Sequence, residues 1–228
     1  MNNIKHVFFD LDHTLWDYEK NSTEALIELH SHFGLNEFVT VNEFLKTYHK
    51  INEKFWHQFN SGQIDREYII KYRFPQVLRK LKIFIEHEPS KLHEFFLSNC
   101  SNRSEVFPYC HETLTYLKEK YPLAIITNGF PEAQYPKMKA SNLEHYFDEV
   151  IISVEVGFRK PDKEIFDLSL AKMNAKAETS VMIGDNPKTD IRGAKDAGIQ
   201  TIFFNPNGNK KSVSEYEIDS LKELIDIL

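Results

Sequence analysis

Short apolar runs recur in two separate parts of the chain, and in the second part they alternate with segments of helical spacing. Val7-Phe8-Phe9 stands near the start, and four further runs follow beyond about residue 105, at residues 123–126, 150–152, 181–183 and 201–204. Runs this short and uniformly apolar are typical of strands buried on both faces of a sheet. The spacing between them predicts helices near residues 132–141, 163–174, 188–197 and 214–227.

This alternation predicts an α/β fold. Repeated strand, helix and strand order implies right-handed crossovers and parallel strands. With the first strand included, we expect a doubly wound parallel five-stranded Rossmann-like sheet, whose strands present their carboxyl ends to one cleft.

Residues 17–104 follow a different pattern, with almost no strand-like run and several helical segments. Thr40 and Glu43 fit a capping box that opens a helix running towards Phe59. Asp65 is placed to cap the next helix, which Pro75 is expected to kink or break. We therefore predict two domains, a core formed by residues 1–16 and 105–228 and an inserted helical cap formed by residues 17–104. Within the cap, Tyr48, Phe55 and Phe59 recur at helical spacing, which is typical of a packed interior.

Two carboxylates follow the first predicted strand, at Asp10 and Asp12. A turn after a strand can bring side chains at positions i and i+2 towards one cleft. Two unpaired carboxylates at the open end of a sheet repel each other and are costly to desolvate. Such a site makes sense if a divalent cation and a phosphate group occupy it. The alternative is a strand that ends in an ordinary polar turn.

Polar segments also follow the later strands of the predicted sheet. They are Thr127-Asn128-Gly129, the stretch 159–162 that contains Lys160, and the stretch 184–190 that begins Gly184-Asp185 and ends at Asp190. The hydroxyl, amide and glycine turn of the first segment could cradle an oxyanion. Each segment also has an ordinary alternative, as a turn, a solvated basic loop or a helix cap. Their common position at strand ends favours a shared active site.

With these residues in place, the chain resembles the haloacid dehalogenase-like (HAD) superfamily over essentially its whole length. Residues 10–14, Asp-Leu-Asp-His-Thr, resemble the first family motif and Thr127 the second. Lys160 matches the third motif, and Gly184-Asp185 with Asp190 match the fourth. His13 is a departure, because many relatives carry glycine there and the backbone becomes less permissive. The stretches 10–17 and 157–162 resemble the bacterial 5'-nucleotidase-like branch.

The resemblance implies a role for each acidic residue. Asp10 would be the nucleophile that forms an aspartyl-phosphate, and Asp12 the general acid and base. A free aspartate titrates near ~3.9, so we expect negative charge near Asp12 to hold its proton. The implied Mg²⁺ site consists of Asp10, Asp185 and the backbone carbonyl of Asp12. Asp190 would be an outer ligand or would orient Lys160.

The implied substrate contacts lie on the remaining motif residues. Lys160 and Thr127 would balance charge on the phosphoryl oxygens, beside Asn128 and Gly129. Trp16 directly follows the first motif, and among the aromatic residues it is our candidate for a contact with a nucleobase.

The resemblance therefore implies a Mg²⁺-dependent phosphomonoester hydrolase, with a nucleoside 5'-monophosphate as the leading substrate. A second carboxylate at Asp12 favours phosphoryl transfer over carbon–halogen cleavage, because a departing halide needs no proton. A sugar-phosphate phosphatase or a phosphoglucomutase-like enzyme would share the same core residues. A non-catalytic phosphate-binding module is a further alternative, although it has no need for Asp12.

Composition restricts the partners. The formal net charge of −6 argues against a nucleic-acid polymer as ligand, since such binders carry a basic face. A strand begins within a few residues of Met1 and no apolar run reaches membrane-spanning length, so we expect no signal peptide and no membrane partner. Cys100 and Cys110 are expected to be buried thiols in a reducing, cytoplasmic setting. The expected partner is a small phosphomonoester, and the sequence defines no oligomeric state.

Overall fold

Six parallel strands form a single sheet in the computed structural model, which describes residues 3–85 and 87–228. The spatial order is β3-β2-β1-β4-β5-β6, so the chain passes from the centre to one side and then to the other, as a doubly wound sheet does. The strands are β1 His6–Phe9, β2 Leu123–Thr127, β3 Glu149–Ile152, β4 Ser180–Gly184, β5 Gln200–Phe204 and β6 Tyr216–Ile218. The predicted fold class is confirmed, with one strand more than expected.

The chain divides into two compact units, one of residues up to Tyr18 together with Ser104–Leu228, and the other of Glu19–Arg103. The sheet lies in the first unit. The second unit is helical, with α1 Tyr18–His32 leading into it, followed by α2 Val41–Asn60, α3 Arg66–Leu81 and α4 Pro89–Ser101, and a 3-10 turn at Leu35–Glu37. The first segment of the sheet-containing unit ends at Tyr18, where residue 16 was predicted. Its second segment begins at Ser104, where residue 105 was predicted.

The helical unit is held by an aromatic interior. Phe44, Tyr48, Phe55 and Phe59 are buried along α2, and the Tyr48 ring lies 5.5 Å from that of Phe74 in α3. The aromatic stripe in the sequence is therefore packing, as predicted.

Side-chain caps start two of these helices. Thr40 Oγ1 accepts a hydrogen bond from the backbone nitrogen of Glu43 at 3.3 Å, and Asp65 Oδ1 accepts one from that of Tyr68 at 2.8 Å. Of the two expected effects of Pro75 on α3, a kink or a break, the break is wrong, because the helix continues through Pro75 to Leu81. Burial of Phe74 and Val77 on either side of the proline supports the helix at this point.

The sheet is covered by the remaining helices, which are α5 Cys110–Lys118, α6 Pro131–Ala140, α7 Ser153–Val156, α8 Lys163–Lys172, α9 Gly193–Asp196 and α10 Leu224–Ile227. Short 3-10 turns lie at Glu144–Tyr146, Ala177–Thr179 and Leu221–Glu223. Phe8, Ile126 and Met182 from three adjacent strands pack with Ile165 and Phe166 of α8 in one apolar cluster. Burial of such side chains is the dominant stabilising contribution to a sheet of this kind.

Two predicted helices differ from the observed structure. The segment near 188–197 is a π-helix at Pro187–Arg192 that continues into α9, because the backbone nitrogens of Asp190 and Ile191 both donate to the Asn186 carbonyl. The segment near 214–227 contains β6, which was missed because only Ile218 of its three residues is buried. Ser220 then caps a new turn, so helix begins only at the end of the segment.

The two connections between the units leave the sheet side by side. Trp16 forms an antiparallel bridge with Val106, the Asp17 nitrogen donates to the Glu105 carbonyl at 3.1 Å, and the Phe107 nitrogen donates to the Leu15 carbonyl at 2.9 Å. The outgoing and returning chains are therefore joined by backbone hydrogen bonds.

Among the described residues, no helix combines the length and apolar character needed to cross a membrane.

The two cysteines are buried thiols, as predicted. Burial raises the pKa of Cys110 to about 12.

Because the thiolate is the reactive form, we expect iodoacetamide to label Cys110 on the order of a thousand-fold more slowly in the folded protein at pH 8 than in urea. A Cys100→Ser variant leaves Cys110 as the single thiol for this measurement. Similar rates in both solvents would contradict the raised pKa.

Candidate active site

The carboxyl ends of the three central strands meet at one edge of the sheet. Phe9 pairs with both Ile125 and Ile183, and the Asp10 nitrogen donates to the Ile183 carbonyl at 2.9 Å. This register places Asp10 next to the ends of β2 and β4, where Thr127 and Asp185 lie. The structure thus brings the sequence-predicted segments together at the switch point of the sheet, where α/β folds bind ligands.

A buried lysine links two of the acidic residues. Lys160 Nζ lies 2.6 Å from Asp10 Oδ1 and 2.9 Å from Asp190 Oδ1, and the lysine side chain is 1% exposed. Burial alone would lower the pKa of Lys160, but the charges and hydrogen bonds of the two carboxylates outweigh it and raise that pKa above its usual value. This shift favours the charged ammonium form of Lys160.

The acidic residues still exceed what this ammonium can balance. Oxygens of Asp10, Asp185 and Asp190 lie within 4.8 Å of one another. Burial raises the pKa of Asp10 well above its usual value, and repulsion from the other two carboxylates adds to it, while Lys160 opposes the shift. Burial also raises the pKa of Asp185, with His13 and Lys210 opposing. A buried group of oxygen donors with surplus negative charge fits a hard divalent cation.

Asp190 is fixed from several directions. Its Oδ1 accepts from Thr189 Oγ1 at 3.1 Å as well as from Lys160, and its Oδ2 accepts from the Asn186 nitrogen at 3.0 Å. The π-helical turn carries the side chain back towards the strand end, which is a common use of such turns at functional sites. Gly184 makes room for it, since a Cβ there would lie 2.4 Å from Asp190 Oδ2. These contacts orient Lys160.

The residues that follow β2 form hydrogen bonds with the Thr127 hydroxyl and with the backbone of Lys160. Thr127 Oγ1 accepts from the Gly129 nitrogen at 3.1 Å and from Gln134 Nε2 at 2.7 Å, so its own proton is left to donate. The Asn128 side chain contacts the backbone of Lys160, and its predicted contact with an oxyanion stays a prediction. Its Oδ1 accepts from the Lys160 nitrogen at 2.9 Å and its Nδ2 donates to the Lys160 carbonyl at 2.8 Å, so it fixes the lysine backbone.

Asp12 has an unexpected environment. Its Oδ1 accepts from Lys137 Nζ at 2.7 Å and its Oδ2 from Gln134 Nε2 at 2.8 Å. Burial raises the pKa of Asp12, but the Lys137 ammonium and these hydrogen bonds outweigh it and lower that pKa below its usual value. The expectation of negative charge beside Asp12 is therefore wrong. Sequence reasoning missed both donors, and their only signal was an i, i+3 polar pair on a helix that follows the second motif.

The residues around the first motif adopt specific conformations. His13 has a φ of 65°, a left-handed conformation that is unfavourable for residues with a Cβ, and its ring packs 4.9 Å from that of Tyr18. The Trp16 ring is fully buried, and Lys137 Nζ lies 4.5 Å from its centroid. That position gives Trp16 a cation–π contact. A contact between Trp16 and substrate stays a prediction, and the burial counts against it.

We expect Lys160→Met to lower the free energy of unfolding by about 3 kcal/mol, because it leaves buried carboxylates without their counter-charge. Lys163→Met is the matched control. That lysine is exposed and pairs with Asp167 on the same helix, so its loss should change stability by less than about 0.5 kcal/mol. Urea unfolding of the three proteins measures both effects. Equal stability of Lys160→Met and the wild type would show that the pairing does not hold the site together.

Comparisons with known proteins agree with this geometry. A model of the haloacid dehalogenase-like hydrolases matches residues 4–198. The HAD-hydrolase YfnB of Bacillus subtilis is 29% identical over 233 residues, covering 100% of this chain and 97% of YfnB. A crystal structure of YfnB bound to magnesium superposes with a TM-score of 0.90 at 27% identity, covering 100% of this chain and 99% of the other.

Two further relatives carry names that state an activity. The pyrimidine 5'-nucleotidase YjjG of Escherichia coli is 29% identical over 226 residues, covering 97% of this chain and 96% of YjjG. A glyceraldehyde 3-phosphate phosphatase of Methanothermobacter thermautotrophicus is 32% identical over 241 residues, covering 99% of this chain and 100% of the relative. With the matching motif residues gathered at one sheet edge, the chain belongs to the haloacid dehalogenase-like hydrolase family.

Proposed function

We propose that this protein is a Mg²⁺-dependent phosphomonoester hydrolase that acts through an aspartyl-phosphate on nucleoside 5'-monophosphates. The observation that carries the proposal is the separation of two carboxylates in one turn. Asp10 lies in the acidic group with Lys160, whereas Asp12 forms its own ion pair with Lys137. Pairs of carboxylates in contrasting environments are how one site divides nucleophilic and proton-transfer roles.

Asp10 is the proposed nucleophile. One of its carboxylate oxygens forms a bond to phosphorus while the bond between phosphorus and the ester oxygen breaks, and the leaving oxygen takes a proton from Asp12. Water then attacks the phosphorus and passes a proton to Asp12. The bond between phosphorus and Asp10 breaks, which releases phosphate and restores the carboxylate.

Lys137 and the neighbouring hydrogen bonds lower the pKa of Asp12 in the free protein, which favours its ionised form. That state suits the second step, in which Asp12 accepts a proton from water. For the first step it needs a proton, and a bound phosphate dianion close to Asp12 favours its protonation, because like charges raise the pKa of a carboxylate.

The residues around the nucleophile would hold the transferred group. Asp10 and Asp185, with the carbonyl of Asp12, would hold Mg²⁺, which when bound supplies positive charge to the phosphoryl oxygens. Asp190 would support the site from outside, since its oxygens contact Lys160, Thr189 and Asn186. The Thr127 hydroxyl donates to one phosphoryl oxygen, and the Lys160 ammonium neutralises another.

The substrate class rests on the relatives. YjjG supports a nucleoside 5'-monophosphate, and the methanogen phosphatase supports a small sugar phosphate as the second candidate. Both substrates would use the same chemistry at Asp10.

We expect the purified protein with Mg²⁺ to release phosphate from nucleoside 5'-monophosphates, and Asp10→Asn to reduce the rate by at least about a thousand-fold, because the amide cannot form the phosphoenzyme. A panel of nucleotides, sugar phosphates and small phosphomonoesters measures this. Asp167→Asn is the matched control, since that residue is exposed on α8 and pairs with Lys163.

The panel separates the candidates. Preference for sugar phosphates would support the proposed mechanism but contradict the proposed nucleotide substrate. Isomerised sugar phosphate without free phosphate would indicate a mutase, and no turnover of any ester would refute hydrolysis.

Mg²⁺ should raise the melting temperature, because a ligand that binds only the folded state stabilises it by about 2.7 kcal/mol at a hundred times its Kd. Asp185→Asn removes one proposed ligand and should abolish most of this increase, while Asp196→Asn, exposed on α9 and paired with Arg192, should retain it. Differential scanning fluorimetry with Mg²⁺ and with chelator measures the shift. An unchanged increase in Asp185→Asn would exclude this residue as a ligand.

A further inference from the structure

Two residues of α6 hold both oxygens of the Asp12 carboxylate. Lys137 Nζ donates to Oδ1 at 2.7 Å and Gln134 Nε2 donates to Oδ2 at 2.8 Å. Gln134 is fully buried and the Lys137 side chain is 6% exposed, whereas the side chain of Asp12 is 22% exposed. Both donors are thus shielded from solvent, and the carboxylate keeps an accessible surface.

The two donors are themselves fixed. Gln134 Oε1 accepts from Lys137 Nζ at 2.8 Å, and Gln134 Nε2 also donates to Thr127 Oγ1 at 2.7 Å. Gly129 leaves the space that the Gln134 side chain fills, since a Cβ there would lie 2.3 Å from Nε2. The network therefore connects Asp12 to the hydroxyl at the end of β2.

We propose that Gln134 and Lys137 are positioning residues that set the orientation of the Asp12 carboxylate for proton transfer. The inference rests on the proposed function, because Asp12 transfers protons only in that scheme. Proton transfer requires the heavy atoms to come within about 2.6–3.2 Å, and a displacement of about 1 Å can reduce a rate a hundred-fold. Two buried donors remove the rotations that would otherwise let the carboxylate turn away.

Simple charge balance does not account for this arrangement. A single contact from Lys137 would neutralise Asp12, yet the uncharged amide of Gln134 occupies the other oxygen. Direct binding of substrate by Lys137 is also disfavoured, because its ammonium is enclosed by Asp12, Gln134 and the ring of Trp16. A role in orienting the Asp12 carboxylate explains why Lys137 and Gln134 each donate to one of its oxygens.

We expect Lys137→Met to lower kcat at least about tenfold on the best substrate, with KM changed by less than about threefold. Lys137→Arg should restore most of the activity, since it keeps a charged donor at the same position. Gln134→Met, which removes the neutral donor, should also lower kcat and provides a second variant if Lys137→Met folds poorly. Lys139→Met is the matched control on the exposed side of α6 and should match the wild type.

A double-mutant cycle identifies the residue through which Lys137 acts. With p-nitrophenyl phosphate the first step needs no proton from Asp12, so kcat in the wild-type and Asp12→Asn backgrounds reports the second step, in which Asp12 accepts a proton from water. In that background Lys137→Met should have no further effect on kcat. An equal loss in both backgrounds, or full activity of Lys137→Met in the wild-type background, would overturn the inference. Failure of the wild-type protein to hydrolyse any ester would instead refute the proposed function.

Discussion

The buried ammonium of Lys160 is the interaction on which the site depends. It joins Asp10, from the turn after β1, to Asp190, from the π-helix after β4, and its own backbone is fixed by Asn128 at the end of β2. Carboxylates this close together and this buried are tolerable only with a counter-charge. The desolvation of all three groups offsets much of the attraction between them. The main effect of Lys160 is therefore structural. Its contacts fix the positions of three segments, which are the turn after β1, the segment after β2 and the π-helix after β4.

Asp10 and Asp12 are separated by a single residue, and their pKa values are shifted in opposite directions. Burial and neighbouring carboxylates raise the pKa of Asp10, while Lys137 and Gln134 lower that of Asp12 against the effect of burial. The strand end thus directs one side chain into the acidic group and the other towards α6. In the proposed mechanism, the nucleophile and the proton carrier are therefore both supplied by three consecutive residues.

The parts of the structure that were predictable from sequence are those in which the local pattern and the tertiary environment agree. Apolar runs predicted β1, β2 and β4, and the polar residues that follow them are the ones gathered at the sheet edge. β6 was not predictable, because its pairing with β5 buries only Ile218. The roles of Gln134 and Lys137 were equally hidden. Helix α6 has no apolar stripe, and its inward polar residues are explained only by Asp12, which lies more than a hundred residues earlier in the chain.

The paired backbone hydrogen bonds at Asp17–Glu105 and Leu15–Phe107 make residues 19–103 topologically a long loop with closed ends. Loop closure entropy rises only slowly with loop length, so the sheet is nearly indifferent to how much chain lies between those hydrogen bonds. The insertion can therefore be lengthened, shortened or exchanged as a block during evolution. The acidic group and Lys160 at the sheet edge would be inherited unchanged through such exchanges.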